Sequence, residues 1–193
     1  LSSGVFESFK NSSLVPGFSI EAEQKHALHV SHAAGIIAGR DGNADHAIMA
    51  GMVHDVGRLI LASRLPEVLQ ELIDRARTEN RELHDLEKEH FGVTHAELGA
   101  YLLGLWGLPH PVVEAVAHHH EPSRVPTDRL DTVAAVHVAN ALVRAGNSNL
   151  DEDPAAGRSL LDAAFVQRLG IETQIEEWHQ NLSVLEETGD GLA

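Results

Sequence analysis

The sequence predicts an all-α fold, and three observations carry that expectation. Apolar residues recur at three- and four-residue spacing along most of the chain. Ser, Thr, Asp or Pro stands where such runs begin, and Gly or Pro where they end. No stretch alternates apolar and polar residues over enough length, with enough β-branched content, to argue a sheet.

After the Pro16-Gly17 turn, Ser19 can cap a helix in which Ala27, Val30, Ala34 and Ile37 mark one face until Gly39 and Gly42 stop it. Asn43 or Asp45 opens the next, which is expected to carry the run GMVHDVGRLIL from Gly51 to Leu61 and to continue toward Leu65. Pro66 suits the first turn of a further helix, with Val68, Leu69, Leu72 and Ile73 on its apolar face, and two more short helices are expected after it. Thr94 and Glu97 form a T-x-x-E capping box, which places His95 in the first turn of a helix with Leu98, Leu102 and Leu103. Leu108-Pro109-His110-Pro111 breaks that helix and starts another, Val112 to His120, which ends near Pro122 and Pro126. Trp106 reads most simply as core, and Leu108-Pro109 as a turn. Thr127 or Asp128 can cap a long helix to Arg144, closed by Gly146. After the acidic link Asp151-Glu152-Asp153-Pro154, two last helices are expected near Ser159 to Leu169 and Ile171 to Glu187, with Gly189 to Ala193 as a loose tail.

At 193 residues the chain suits one domain, residues 1–193, with a sizeable core. It starts at Leu1 without an initiator Met, so further sequence upstream is expected. The formal net charge of -15 argues against nucleic acid as a partner, because a phosphate-rich polymer is repelled by most of such a surface. A cluster of metal ions could still attract a small phosphorylated ligand. The absence of cysteine removes disulfides, thiolate nucleophiles and zinc sites built on sulfur. The longest apolar stretches, Ala47 to Val53 and Tyr101 to Leu108, are too short to span a bilayer, and no signal segment opens the chain. A cytoplasmic protein with no membrane partner is the expectation.

The chemistry is concentrated in histidine, of which there are 14. His54-Asp55 sits in an otherwise apolar run, where an ionised carboxylate must be paired, hydrogen-bonded or bound to metal. A buried ion pair is the plain alternative to a metal site. Neighbouring helical residues diverge by about 100°, so the two share a centre only if it lies between their directions. Further candidates are His26, His29 and His32 on the first helix, His95, the triplet His118-His119-His120, and His137. His26 and His29 lie on nearly the same face, and the three consecutive rings cannot all meet one centre. At a helix amino terminus the dipole disfavours an imidazolium, so His95 is expected to favour the neutral form that binds metal; the alternative is an exposed first-turn residue. Asn140 shares a face with His137 and can ligate, or hydrogen-bond a ligand. Arg58 can hold a phosphate or be a surface cation. A carboxylate such as Asp55 can bridge two ions about 3.5–4 Å apart, which together hold a hydroxide for attack on phosphorus. Nitrogen and oxygen ligands suit Fe, Mn, Zn or Ni.

Five segments, HALHVSHAA from His26, GMVHDVGRL from Gly51, FGVTHAELGAYLLGLWGLP from Phe91, HHEP from His119 and VHVANAL from Val136, resemble the HDOD domain. That domain is a bacterial signalling relative of the HD superfamily of metal-dependent phosphohydrolases. The likeness covers roughly residues 5 to 145 and lacks the amino-terminal helical part usual in HDOD proteins. It implies an HD-superfamily helical bundle in which His26 is the first HD histidine and His54 and Asp55 the doublet. His95, His119 and His120 match the extra histidines that complete a two-metal site in HD-GYP phosphodiesterases. Asn140 stands where active HD enzymes carry a final aspartate, and no GYP segment follows His119-His120-Glu121; both departures point away from hydrolysis of cyclic dinucleotides. The neutral Asn140 is expected to lower metal affinity.

The resemblance thus implies a signal-transduction output domain, such as the output part of a response regulator. It would carry one or two divalent metal ions on His26, His54, Asp55, His95, His119, His120 and Asn140, and take its signal from an upstream sensory or receiver domain or another signalling protein. The alternative is an active metal-dependent phosphohydrolase acting on a small phosphorylated or cyclic nucleotide, with Asp55 and the metal-held hydroxide at the reaction and Arg58 on the phosphate.

Overall fold

The structure is a computed structural model that describes residues 15–39, 43–146 and 160–188. Those residues hold helices and no strand, in agreement with the periodicity. The chain runs α1 (Ile20–Ala38), α2 (Ala44–Val53), α3 (Val56–Arg64), α4 (Pro66–Glu79), α5 (Leu83–Phe91), α6 (His95–Leu105), α7 (His110–His118), a 3-10 turn (Pro122–Arg124), α8 (Thr132–Gly146), α9 (Ala163–Leu169) and α10 (Glu172–Thr188).

Ser19 caps α1, its hydroxyl accepting from the Ala22 amide, and Ala27, Val30, Ala34 and Ile37 are all buried. They pack with Ala47 and Ala50 of α2, Val112 and Ala115 of α7, and the apolar side chains of α8. Every residue of α8 from Thr132 to Val143 is buried, so this helix is the axis around which α1, α2 and α7 assemble. Each Val or Leu taken fully out of water there contributes about 1.5–3 kcal/mol. A second cluster joins Leu59, Leu61 and Ala62 of α3 to Leu69 and Ile73 of α4, while Val56, Ala100, Leu103 and Val116 join α3, α6 and α7.

The structure corrects several boundaries. The helix expected from Asn43 to Leu65 is two, α2 and α3, with His54-Asp55 at the break between them. His54 Nδ1 donates to the Gly51 carbonyl at 2.8 Å, an oxygen that an unbroken helix reserves for the amide four residues on. A single helix, α5, stands where two short ones are expected. The helix expected over Val112 to His120 ends at His118, because His119 Nδ1 likewise turns back to the Val116 carbonyl at 2.8 Å. α8 starts at Thr132, since Asp131 is the cap, its Oδ1 accepting from the Ala134 amide at 3.0 Å; Thr127 is occupied in a local turn with Arg129. Trp106 is 56% exposed rather than core, lying past the last turn of α6 beside exposed Leu105. Gly42, Ser159, the acidic link and the residues from Gly189 to Ala193 lie outside the described residues.

Both parts of the capping box are present: Thr94 Oγ1 accepts from the Glu97 amide and the Glu97 carboxylate from the Thr94 amide. α3 then approaches α6 at Gly57, where a Cβ would overlap the backbone carbonyl of His95. The close contact brings the doublet and His95 to one place. No helix among the described residues is long and apolar enough to cross a membrane.

Candidate metal centre

α1 presents His26, the α2–α3 break His54 and Asp55, the first turn of α6 His95, the end of α7 His119 and His120, and α8 Asn140. The structure brings all seven together. Ligand atoms of His26, His54 and Asp55 lie within 4.8 Å of one another, as do those of Asp55, His95, His119 and His120. Asp55 belongs to both groups. Its Oδ1 faces His95 Nε2 at 3.1 Å and His119 Nε2 at 3.5 Å, and its Oδ2 faces His54 Nε2 at 3.3 Å. Ligand atoms about 2.0–2.2 Å from one ion stand about 3–3.6 Å apart, and the three spacings fall in that range.

The ring orientations are fixed from outside the cluster. His54 and His119 give their Nδ1–H to the carbonyls of Gly51 and Val116, and His95 gives its Nδ1–H to Glu87 Oε2 at 2.7 Å. Each ring then aims Nε2 at the Asp55 carboxylate. His54 Nε2, His119 Nε2 and Asp55 Oδ1 are buried without a hydrogen-bond partner. Buried polar atoms are nearly always satisfied, and lone pairs aimed at one another are a donor set for a cation. His26 Nε2 and Asn140 Oδ1 stand 3.0 Å apart, and His120 Nε2 and His95 Nε2 3.1 Å.

Electrostatics follow the same geometry. Burial raises the Asp55 carboxyl, but the His54 charge and the facing imidazoles of His119, His54 and His95 outweigh it and hold it well below the usual carboxylate range. Burial pushes His26 down to about 3 and His119 down to about 4. His120 is held well below the ordinary imidazole value by burial and its histidine neighbours. His95 departs from the expectation of a neutral ring at a helix amino terminus. Burial lowers it, yet Glu87 and Asp55 outweigh both burial and the dipole and hold it at about 9.

Three participants escape sequence reasoning. Glu87 accepts from both the ring and the amide of His95; its signal is an acid on the Leu83–Leu86–Glu87 side of α5, the apolar one. Glu23 pairs with Arg58 at 3.1 Å, and Arg58 also meets Asp55 Oδ2 at 3.3 Å, so the guanidinium sits behind the doublet. His84 stacks on His120 with centroids 4.0 Å apart and planes 13° apart. His137 stands outside both groups: its Nδ1 donates to the His119 carbonyl and its Nε2 accepts from the Asp162 amide, tying the centre to the start of α9. His29, His32 and His118 also stand outside. A cavity of about 170 Å3 borders the centre at His119, His120 and Asn140, and His84, Glu82 and Arg144 also line it.

The family profile of the HDOD domain matches residues 1–122. Ribonuclease Y of Thermus thermophilus is 32% identical over 146 residues, 75% of this chain and 19% of its own length. The chain spans about a fifth to a quarter of the curated relatives it matches. Among solved structures, an HDOD domain protein of unknown function from Geobacter sulfurreducens has a TM-score of 0.64 at 23% identity, covering 92% of this chain and 65% of that one. The MmoQ response regulator from Methylococcus capsulatus str. Bath has a TM-score of 0.54 at 26% identity, covering 80% and 62%. With the profile spanning 122 residues of the 193, the chain belongs to the HDOD domain family.

Proposed function

We propose that this HDOD domain is the output module of a bacterial signalling protein and that it works through a divalent-metal centre. His26, His54, Asp55 and Asn140 would hold one side of that centre and Asp55, His95, His119 and His120 the other. The observation that carries the reading is the set of buried Nε2 and carboxylate atoms that face one another with no hydrogen-bond partner while each Nδ1 is satisfied outward. The likeness to a response regulator supports a receiver-type partner upstream. Fe, Mn, Zn and Ni all accept such ligands. Elemental analysis of the purified protein tests this: metal per chain that disappears in His54→Ala is expected, and a protein that neither carries nor takes up any divalent ion overturns it.

A second reading, hydrolysis of a phosphoester at the same centre, is favoured by Asp55 being common to both groups. A divalent ion there supplies Lewis acidity toward a phosphoryl oxygen. Asp55 would keep two ions together, Asn140 and His120 would border the bound ester, and Arg58 would hold Asp55 in place or meet the phosphate. Ribonuclease Y acts, by its name, on RNA. The charge of -15 and the small cavity favour a small phosphorylated ligand over a polymer in this chain. Metal-loaded protein assayed on a small phosphodiester, a cyclic nucleotide and an RNA oligomer separates the cases; turnover lost in His54→Ala supports hydrolysis, and none on any substrate leaves the non-catalytic output reading.

A further inference from the structure

Glu87 is the only fully buried acidic residue among the described residues. It sits on α5, which supplies no member of either donor group. Burying a carboxylate is costly unless it is paired and hydrogen-bonded, and one of its oxygens, Oε1, has no hydrogen-bond partner. The other oxygen, Oε2, accepts twice from one residue: from the backbone amide of His95 and from its ring Nδ1, both at 2.7 Å. The amide bond satisfies a buried donor that the Thr94–Glu97 box leaves open, and the ring bond fixes how the imidazole is turned. The start of α6 makes use of the amide bond but not of the ring bond, because the Thr94–Glu97 box already caps the helix. The double acceptor therefore has one further effect, to keep the proton on Nδ1 and aim Nε2 at Asp55, 3.1 Å away.

We infer that Glu87 is a positioning residue for the metal group Asp55–His95–His119–His120, acting through His95 by this two-point clamp. The inference rests on the metal-centre reading above. His54 and His119 get their orientation from neutral backbone carbonyls, whereas His95 gets it from a carboxylate, which makes its Nε2 the more strongly donating ligand. His95 begins a helix instead of ending one, so no carbonyl of a preceding turn is within its reach. A carboxylate from α5 takes that place.

The test is Zn2+ affinity, read by competition with a chromophoric chelator, for the whole chain and four variants: Glu87→Gln, His95→Ala, their double, and His54→Ala. Gln keeps the size and an acceptor oxygen but removes the charge. Glu87→Gln is expected to bind Zn2+ 10- to 100-fold more weakly. In the His95→Ala background the same change is expected to have no further effect, because Gln still accepts from the amide of residue 95 and the ring on which the charge acts is gone; a merely structural role would weaken binding in both backgrounds. Wild-type affinity in Glu87→Gln, or an equal loss with and without His95, overturns the inference. Should Glu87→Gln not fold, ring 15N NMR of the Zn2+-loaded wild type decides: a protonated Nδ1 and a metal-shifted Nε2 at His95 are expected, and the reverse overturns it. Failure of the parent reading looks different, since the wild type would then bind no more Zn2+ than His54→Ala, and the inference falls with it.

Discussion

Asp55→Asn is the most informative single change, because one carboxylate faces three imidazoles and a guanidinium through its two oxygens. Asparagine keeps the volume, removes the charge, and presents an N–H to at least one lone pair. With metal at one hundred times its dissociation constant, binding stabilises the wild-type fold by about 2.7 kcal/mol. For a chain of this size about 1 kcal/mol moves Tm by about 2–4 °C, so the metal-loaded protein should melt about 5–11 °C above the chelated one. Loss of an outer partner already costs about 10- to 100-fold in affinity, and Asp55 serves both groups directly, so at least a hundredfold loss is expected. At the same metal concentration the variant would then gain only about 0.4 kcal/mol, about 1–2 °C. Thermal unfolding of both proteins with metal and with chelator, at fixed concentrations, measures this. A wild-type shift that survives in Asp55→Asn refutes the reasoning, since the ion would then sit elsewhere.

Stability of the metal-free protein should peak near pH 6.5. Burial depresses His26 to about 3 and His119 to about 4, so the stability tied to their neutral forms is complete above pH 6.5 and lost as pH falls through those values. At His95 burial is outweighed by Glu87 and Asp55, and with its value raised to about 9 the contribution is complete below pH 6.5 and lost as pH rises through 9. Denaturant midpoints measured across pH check both limbs, and a metal-free profile that climbs steadily from pH 6.5 to 9 removes His95 from the account. Gly57→Ala should cost about 1–3 kcal/mol or more by overpacking and should also weaken metal binding, because the added Cβ overlaps the backbone of His95; unchanged urea unfolding would contradict the close approach. Asn140→Asp puts a charge 3.0 Å from His26 Nε2 and should tighten divalent metal by roughly tenfold, about 1.4 kcal/mol; calorimetry showing no change places residue 140 outside the ligand set.

What could be read from the sequence is what depends on local chemistry. The Thr94–Glu97 box fixes the start of α6 by itself, and so places His95 one residue inside it. The face Ala27–Val30–Ala34–Ile37 is buried as its spacing demands. The order of five segments points to the candidate ligands, and their convergence depends on contacts between helices that no local pattern encodes. Glu87 escapes sequence reasoning for that reason: on α5 it is one acid among Asp85, Glu87 and Glu89, and only the docking of α5 against the start of α6 distinguishes it. Trp106 departs in the opposite sense, since its bulk suggests burial while the end of α6 leaves it facing solvent.

The break at His54-Asp55 is the clearest case of tertiary contacts overriding pattern. The apolar periodicity runs through the doublet without interruption, so a continuous helix is the natural reading, and on such a helix the two side chains diverge by about 100°. The chain resolves this by leaving the helix at that point. His54 keeps helical angles, φ -57° and ψ -35°, and Asp55 departs to φ -101° and ψ 15°. The change of direction lets α3 set Gly57 against the backbone of His95 while Asp55 turns toward His95 and His119. His119 repeats the device at the end of α7, where its ring takes the carbonyl three residues back and frees His120 to point toward His95. Both pairs of consecutive candidate ligands therefore sit just past a helix end, where the backbone can turn two neighbours toward one centre.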